Sequence, residues 1–156
     1  MAAQKLKSVN ALLKKVHSAR RRGERVVFTN GCFDLLHVGH TRLLEKAKRL
    51  GDVLIVALNS DRSVRRLKGP RRPVNPEKIR AEVLSALGAV DFVVFFSKRT
   101  PETLIRKIRP DILVKGGDWK KKEIVGREFV ESYGGKVYLF PVVKDYSTTK
   151  LLKRMS

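Results

Sequence analysis

The sequence has little cysteine and no long hydrophobic run. Cys32 is the only cysteine among 156 residues, which excludes an intramolecular disulfide and a zinc site built from several thiolates. The longest uninterrupted apolar run, residues 53–58, has six residues, whereas a membrane-spanning helix needs about 20. A single cysteine is typical of a reducing compartment, so we expect a cytoplasmic protein. The short apolar run predicts that it has no membrane span.

Acidic residues are also scarce. The chain has 15 Asp and Glu against 35 Lys and Arg, a formal net charge of +20. Such an excess favours anionic partners, which include nucleic acids, anionic lipids and phosphorylated small molecules. The basic residues are spread along the chain and accompany no helix-turn-helix, zinc-finger or RNA-binding aromatic motif. A basic nucleic-acid-binding module is therefore a distant alternative to an enzyme that acts on phosphorylated small molecules.

Several common catalytic motifs are missing. The sequence contains no G-x-x-x-x-G-K-[ST] and no G-x-G-x-x-G, which excludes a P-loop and the usual dinucleotide-binding fingerprint. It also contains no H-E-x-x-H and no G-x-S-x-G, which excludes the usual zinc peptidases and serine hydrolases.

The length and apolar content predict one domain over residues 1–156. A chain of this size buries roughly 68–70% of its unfolded surface without a disulfide or metal. Residues 1–23 are free of acids, as in a transit peptide. Their apolar residues nevertheless recur at helical spacing, with Ser8 placed to cap the helix and Gly23 to stop it. We therefore predict a surface helix packed on the domain.

Apolar strand-like runs alternate with helix-like runs along the rest of the chain. The predicted strands are residues 25–29, 52–58, 91–96, 111–114 and 136–140. The predicted helices are residues 38–50, 62–67, 76–87, 101–108, 122–133 and 148–154. Asn75 is the predicted cap of the helix that begins at Pro76. This alternation predicts an α/β fold, a Rossmann-like, doubly wound, five-stranded parallel sheet with helices on both faces. Ligands of such folds bind at the carboxyl ends of the strands.

The segment after the first predicted strand carries the most specific motif, T-N-G-C-F-D-L-L-H-V-G-H at residues 29–40. His37 and His40 are three residues apart and lie on one side of a helical turn. That turn opens a helix, where free N–H groups and the helix dipole favour an anion. Gly31 allows close backbone approach, and Gly39 leaves room for a bulky group. The motif predicts a triphosphate site without a covalent nucleophile.

This motif resembles the H-x-G-H signature of the nucleotidyltransferase superfamily that includes the cytidylyltransferases. Four later motifs resemble one branch, the D-glycero-β-D-manno-heptose 1-phosphate adenylyltransferases, in the freestanding form of a domain that some bacteria fuse to a kinase. They are Asn59-Ser60-Asp61, the Arg-Pro-Val-Asn-Pro run at 72–76, Val114-Lys115-Gly116-Gly117-Asp118 and Tyr146-Ser147-Thr148-Thr149. The resemblance covers nearly the whole chain.

The resemblance implies that a sugar 1-phosphate oxygen attacks the α-phosphorus of ATP in line, giving ADP-heptose and pyrophosphate. It implies Mg²⁺ with the ATP, and no carboxylate cluster in the sequence builds a separate metal cage. A CTP-dependent enzyme acting on an alcohol phosphate such as glycerol 3-phosphate is the alternative. Some cytidylyltransferases carry an arginine where Val142 and Val143 stand here, which favours ATP. A homodimer is a further expectation.

The resemblance also implies a set of site residues. The catalytic candidates are His37, His40 and Lys68. The nucleotide-binding candidates are Thr29, Asn30, Gly31, Cys32, Phe33, Gly39, Arg80, Gly116, Asp118, Ser147, Thr148 and Thr149. The sugar-phosphate candidates are Asp34, Asn59, Asp61 and Arg71, with the alternative that Asp34 caps the helix that follows. We expect the other arginines between residues 62 and 72 to form a solvated basic face.

Overall fold

A five-stranded sheet forms the centre of the computed structural model, which describes residues 2–117, 120, 123–141, 143 and 147–155. All the strands are parallel, and their order is β3-β2-β1-β4-β5. They are β1 (Val26–Gly31), β2 (Val53–Asn59), β3 (Phe92–Phe96), β4 (Ile112–Gly116) and β5 (Lys136–Phe140). The predicted fold class is confirmed, and all seven residues of β2 are buried, as its apolar run predicts.

Helices cover both faces of the sheet. They are α1 (Ala2–Lys5), α2 (Val9–Arg21), α3 (Val38–Arg49), α4 (Asp61–Lys68), α5 (Glu77–Ala86), α6 (Glu102–Ile108), α7 (Arg127–Ser132) and α8 (Thr148–Met155). One core joins α2, α6 and α7 to the sheet, with Leu12 and Ile105 fully buried. The other core joins α3 and α5 to the opposite face through Leu44 and Leu84. Within the described ranges no helix is long and apolar enough to cross a membrane.

The amino-terminal segment packs on the sheet as a helix. Ser8 caps α2, because its hydroxyl accepts a hydrogen bond from the Ala11 N–H at 3.3 Å. Leu12, Val16 and Ala19 are buried along one side of α2. Just before the cap, the Lys7 N–H donates to the Val93 carbonyl at 2.9 Å, which ties this segment to β3.

Two helix starts differ from the sequence prediction. Asn75 does not cap α5, because its amide donates to the Asp34 carbonyl at 3.4 Å instead. The helix predicted over residues 122–133 is shorter and begins at Arg127. Gly126 precedes it with a φ of +85°, and a Cβ there would lie 2.8 Å from the Ile105 side chain. The left-handed turn at Gly126 therefore sets the start of α7.

An exposed apolar face lies on α5 and on the loop that precedes it. Val74, Ile79 and Val83 are 47%, 46% and 43% exposed, and the last two are one helical turn apart. This face suits the expected homodimer, which stays a prediction.

Candidate active site

A cavity of about 710 Å³ opens at the carboxyl ends of the strands. Its walls come from the loop after β1, the start of α3, the ends of β2, β3 and β4, and the start of α8. The strand order reverses at β1, because β2 lies on one side of β1 and β4 on the other. In doubly wound sheets this reversal opens the crevice in which ligands bind.

His37 and His40 lie side by side at the start of α3. Their rings stack with centroids 3.9 Å apart, and the Phe33 ring lies 5.1 Å from that of His40. His37 is the N-cap of α3, and its Nδ1 accepts the Gly39 N–H at 3.1 Å. Because Nδ1 is an acceptor, the neutral ring carries its proton on Nε2, which is then a hydrogen-bond donor.

The position of the His37 ring requires a glycine at residue 39. A Cβ at residue 39 would lie 2.9 Å from both Cε1 and Nδ1 of His37. Any side chain would therefore displace the imidazole that caps the helix. The room that the sequence predicts at Gly39 is occupied by the His37 ring.

Burial keeps both histidines uncharged at neutral pH. It lowers the pKa of His37, and it lowers the pKa of His40 to about 4, with a smaller contribution from the charge on His37. His40 Nδ1 is buried and, among the described residues, has no hydrogen-bond partner. Two neutral imidazoles can donate hydrogen bonds to phosphate oxygens without acting as a base.

We expect acid to destabilise the protein through His40. The unfolded chain binds a proton at this residue near pH 6.5, whereas the folded chain binds it only near pH 4. The stability is therefore fully present above pH 6.5 and falls towards pH 4, by up to about 3 kcal/mol. Urea unfolding across this window should show a shallower decline in His40→Gln than in the wild type. Equal declines would contradict the assignment.

A second helix N-terminus meets the same cavity. Ser147 caps α8, because its hydroxyl accepts the Lys150 N–H at 3.1 Å. The Thr148 hydroxyl donates to the Leu35 carbonyl at 3.3 Å, which joins α8 to the loop before α3. Ser147, Thr148 and Thr149 all line the cavity. The starts of α3 and α8 thus converge, and both favour an anion.

Asp34 holds in place the loop between α4 and α5, residues 69–76, which we call the basic loop. Its carboxylate is 3% exposed and accepts hydrogen bonds from Arg72 Nε at 2.7 Å and from the N–H groups of Val74 and Asn75 at 2.9 and 3.0 Å. Burial raises the pKa of this carboxyl, but the hydrogen bonds from Asn75, Val74 and Arg72 together lower it. Asp34 does not cap α3, since His37 does. Arg72 lines the cavity and does not belong to a solvated face.

Arg80 is enclosed in protein and does not line the cavity. Its side chain is fully buried and donates to the carbonyls of Asn75 at 2.9 Å, Cys32 at 2.6 Å and Asn59 at 2.9 Å. It also pairs with the Asp61 carboxylate at 2.8 Å. The contact of Arg80 with the nucleotide and that of Asp61 with the sugar phosphate stay predictions; in the structure both side chains make contacts within the protein. Both residues hold the cavity walls together.

A family model described as cytidylyltransferase-like matches residues 28–154. The chain belongs to the cytidylyltransferase-like family. The H-x-G-H resemblance is thereby confirmed, and the protein is a nucleotidyltransferase.

Curated relatives of this cytidylyltransferase-like chain are similar over nearly its whole length. The bifunctional protein HldE of Syntrophotalea carbinolica is 58% identical over 136 residues, which cover 87% of this chain and 28% of the relative. That of Koribacter versatilis is 54% identical over 154 residues, which cover 99% of this chain and 32% of the relative. The chain thus spans about a third of the length of these relatives.

Solved structures support the same fold. The lipopolysaccharide core biosynthesis protein from Thermoplasma volcanium is 30% identical with a TM-score of 0.64, and the match covers 80% of this chain and 100% of that one. A pantoate-beta-alanine ligase from Francisella tularensis is 16% identical with a TM-score of 0.59, covering 92% of this chain and 71% of that one. The second similarity supports the fold alone.

The structure brings most of the predicted site residues to one cavity. Those that line it are Asn30, Gly31, Cys32, Phe33, Asp34, His37, Gly39, His40, Asn59, Lys68, Gly116, Ser147, Thr148 and Thr149. Thr29 is fully buried in β1, and Arg71 is exposed on its loop. Neither these two nor Arg80 and Asp61 line the cavity. Asp118 lies outside the described residues.

Sequence reasoning missed two cavity cations besides Arg72. Lys115 is the fourth residue of β4, and Arg99 precedes α6. Lys115 is half-buried, and burial lowers the pKa of its ammonium group. A cation near the carboxyl end of a predicted buried strand, just before two glycines, was the signal that could have identified it.

Within the described ranges, the acidic side chains that line the cavity do not form a metal cage. Asp34 and Glu123 are the cavity-lining carboxylates within the described ranges, and Asp34 is engaged by the basic loop. No group of three His, Cys, Asp or Glu residues in the described part of the chain could hold a metal ion. This donor set fits a magnesium ion that arrives with the nucleotide phosphates.

Proposed function

We propose that this nucleotidyltransferase transfers the adenylyl group of ATP to D-glycero-β-D-manno-heptose 1-phosphate, giving ADP-heptose and pyrophosphate. The observation that carries the proposal is the convergence of two helix N-termini, with His37 and His40 on one and Ser147–Thr149 on the other, at a single cavity. Such a pair of helix ends is suited to a triphosphate, because both offer N–H donors to the same anion.

The reaction proceeds in one displacement. An oxygen of the sugar phosphate attacks the α-phosphorus, and the bond from that phosphorus to the pyrophosphate oxygen breaks. Positioning and charge stabilisation supply most of the catalysis in such reactions. Burial raises the pKa of Cys32, so this cavity thiol is a poor nucleophile. Direct transfer therefore fits the site better than a covalent enzyme intermediate.

The histidines stabilise the leaving group. Each imidazole is neutral at pH 7, and its N–H donates to phosphate oxygens on which charge grows as pyrophosphate departs. Lys68 and Arg72 add positive charge to the same cavity. A Mg²⁺ ion bound with the ATP would neutralise part of the phosphate charge in this cavity.

Two observations support the choice of nucleotide and acceptor. Val143 lines the cavity near Gly39, at a place where some cytidylyltransferases carry an arginine, which favours ATP over CTP. HldE proteins and a lipopolysaccharide core biosynthesis protein are among the relatives. A sugar 1-phosphate acceptor agrees with the second name, because the core of a lipopolysaccharide is built from sugars. The net charge of +20 then attracts phosphorylated substrates.

A four-way substrate panel tests the proposal. Pyrophosphate release is measured with ATP or CTP, each combined with the heptose 1-phosphate or with glycerol 3-phosphate. We expect release with ATP and the heptose phosphate, and a product with the mass of ADP-heptose. Release with CTP and glycerol 3-phosphate alone would support the alternative cytidylyltransferase, and no release in any combination would overturn both assignments.

A further inference from the structure

Lys115 extends from the face of the sheet opposite the histidines. Side chains alternate along β4: Leu113 belongs to the core beneath α2 and α6, whereas Val114 belongs to the core beneath α3 and α5. A Cβ at Gly116 would lie 2.9 Å from Leu43 of α3, so Gly116 also faces α3. The period of two then places Lys115 on the α2 and α6 side of the cavity.

On the α2 and α6 side, the cavity wall is mostly apolar. Phe96 at the end of β3, Thr100 and Pro101 before α6, and Ile124 before α7 all line it. Apolar surface and a hydroxyl suit the C–H faces and hydroxyl groups of a sugar. The α3 and α8 side, in contrast, carries the histidines and the helix N-termini.

In-line displacement places the attacking and leaving oxygens on opposite sides of the α-phosphorus. The leaving pyrophosphate lies with the histidines of α3 in the function proposed above, on which this inference rests. The incoming oxygen must then come from the other side of the cavity. We propose that the Lys115 ammonium group binds the phosphate of the acceptor, a dianionic sugar 1-phosphate, and orients it for attack.

The charges around Lys115 agree with this role. Among the described residues, Cys32, from the loop after β1, and Lys68, at the end of α4, are titratable groups that shift its pKa. Burial is the main reason that its pKa is lowered, and the positive charge of Lys68 adds to the effect. A dianionic phosphate favours the charged form of Lys115, and a partly buried ion pair of this kind is stronger than an exposed one.

Lys115→Met tests the assignment, and Lys136→Met is the matched control, since Lys136 is exposed at the amino end of β5. We expect Lys115→Met to raise the KM for the acceptor by roughly 10- to 100-fold, the value of a charged hydrogen bond. The Kd of ATP, measured by calorimetry without acceptor, should stay close to that of the wild type. Lys136→Met should change neither quantity.

Lys115→Arg gives a readout that a purely structural role would not change. Acceptor affinity of the wild type should fall as the pH rises through the pKa of Lys115, because the ammonium charge is lost. Arginine stays charged to above pH 12, so Lys115→Arg should restore much of the affinity and lose this alkaline decline. Both variants are compared by circular dichroism to show that they fold.

Binding measurements separate this inference from the proposed function. The sugar 1-phosphate is titrated into enzyme saturated with a non-hydrolysable ATP analogue, and the same titration is made with Lys115→Met. Weaker binding in the variant supports Lys115 even if the wild type releases no pyrophosphate, which would overturn the proposed function alone. Unchanged acceptor binding, or loss of ATP binding instead, would overturn the role of Lys115.

Discussion

Replacing His37 or His40 with alanine is expected to lower turnover by roughly 10²- to 10³-fold, the effect of removing one preorganised donor from a site of developing charge. Both rings are held in place before substrate arrives, His37 by the Gly39 N–H and His40 by stacking on His37 and by a tilted contact with the Phe33 ring. Interactions that strengthen in the transition state act on turnover more than on binding. The affinity for ATP should therefore change far less.

The two histidines should not act independently. Their centroids are 3.9 Å apart, so removing one ring also removes the packing that orients the other. The double variant is expected to lose less activity than the product of the two single losses, because contacting residues are coupled. His17→Ala is the control, since His17 is exposed on α2. Steady-state kinetics and ATP calorimetry on all four variants provide the measurement.

Near-normal turnover in either single variant would contradict the role of that histidine. A folded variant whose whole defect is weaker ATP binding would also contradict this role. The imidazole would then stabilise bound ATP as much as the transition state.

The parts of the fold that follow from local pattern could be predicted from sequence. β2 is an uninterrupted apolar run, so burial on both faces and a central place in a parallel sheet follow from composition alone. The N-cap at Ser8 also follows from residue type and spacing. His37 and His40 follow from a short motif placed at the end of the first strand. Each of these conclusions needs only neighbours along the chain.

The parts that depend on distant contacts could not be predicted. Asp34 meets Arg72 across 38 residues, and nothing near either residue indicates the partner. Asn75 looks like a helix cap in sequence, yet the loop at Asp34 uses its amide. Lys115 has a local signal in the two glycines that follow it, but it reaches the cavity because the strand order places β4 between β1 and β5. Tertiary contacts thus give Asp34, Asn75 and Lys115 roles that their local sequence patterns do not predict.

Arg80→Ala is expected to cost about 3–5 kcal/mol of stability, the usual result of removing one partner of a buried ion pair. The substitution leaves the Asp61 carboxylate without its cation and the carbonyls of Cys32, Asn59 and Asn75 without a donor. These carbonyls belong to three different segments of the chain. The substitution should therefore loosen the loop after β1, the end of β2 and the basic loop together.

Arg80→Lys separates the shape of the guanidinium from its charge. One ammonium group cannot reach three carbonyls and a carboxylate that a planar group with five N–H donors reaches together. We expect an intermediate loss of stability. Arg106→Ala is the matched control, because its pair with Glu102 is exposed on α6, and exposed pairs contribute only about 0–1 kcal/mol. Urea unfolding of the three variants gives the free energies.

The same variants decide between two roles of Arg80. If its guanidinium contacted the nucleotide, as the sequence motif implies, Arg80→Lys would weaken ATP binding while the protein stayed about as stable as the wild type. The buried network instead predicts that stability falls first and that ATP affinity follows only as far as the loops loosen. A fully stable Arg80→Lys protein with a large loss of ATP affinity would show that Arg80 turns towards the ligand.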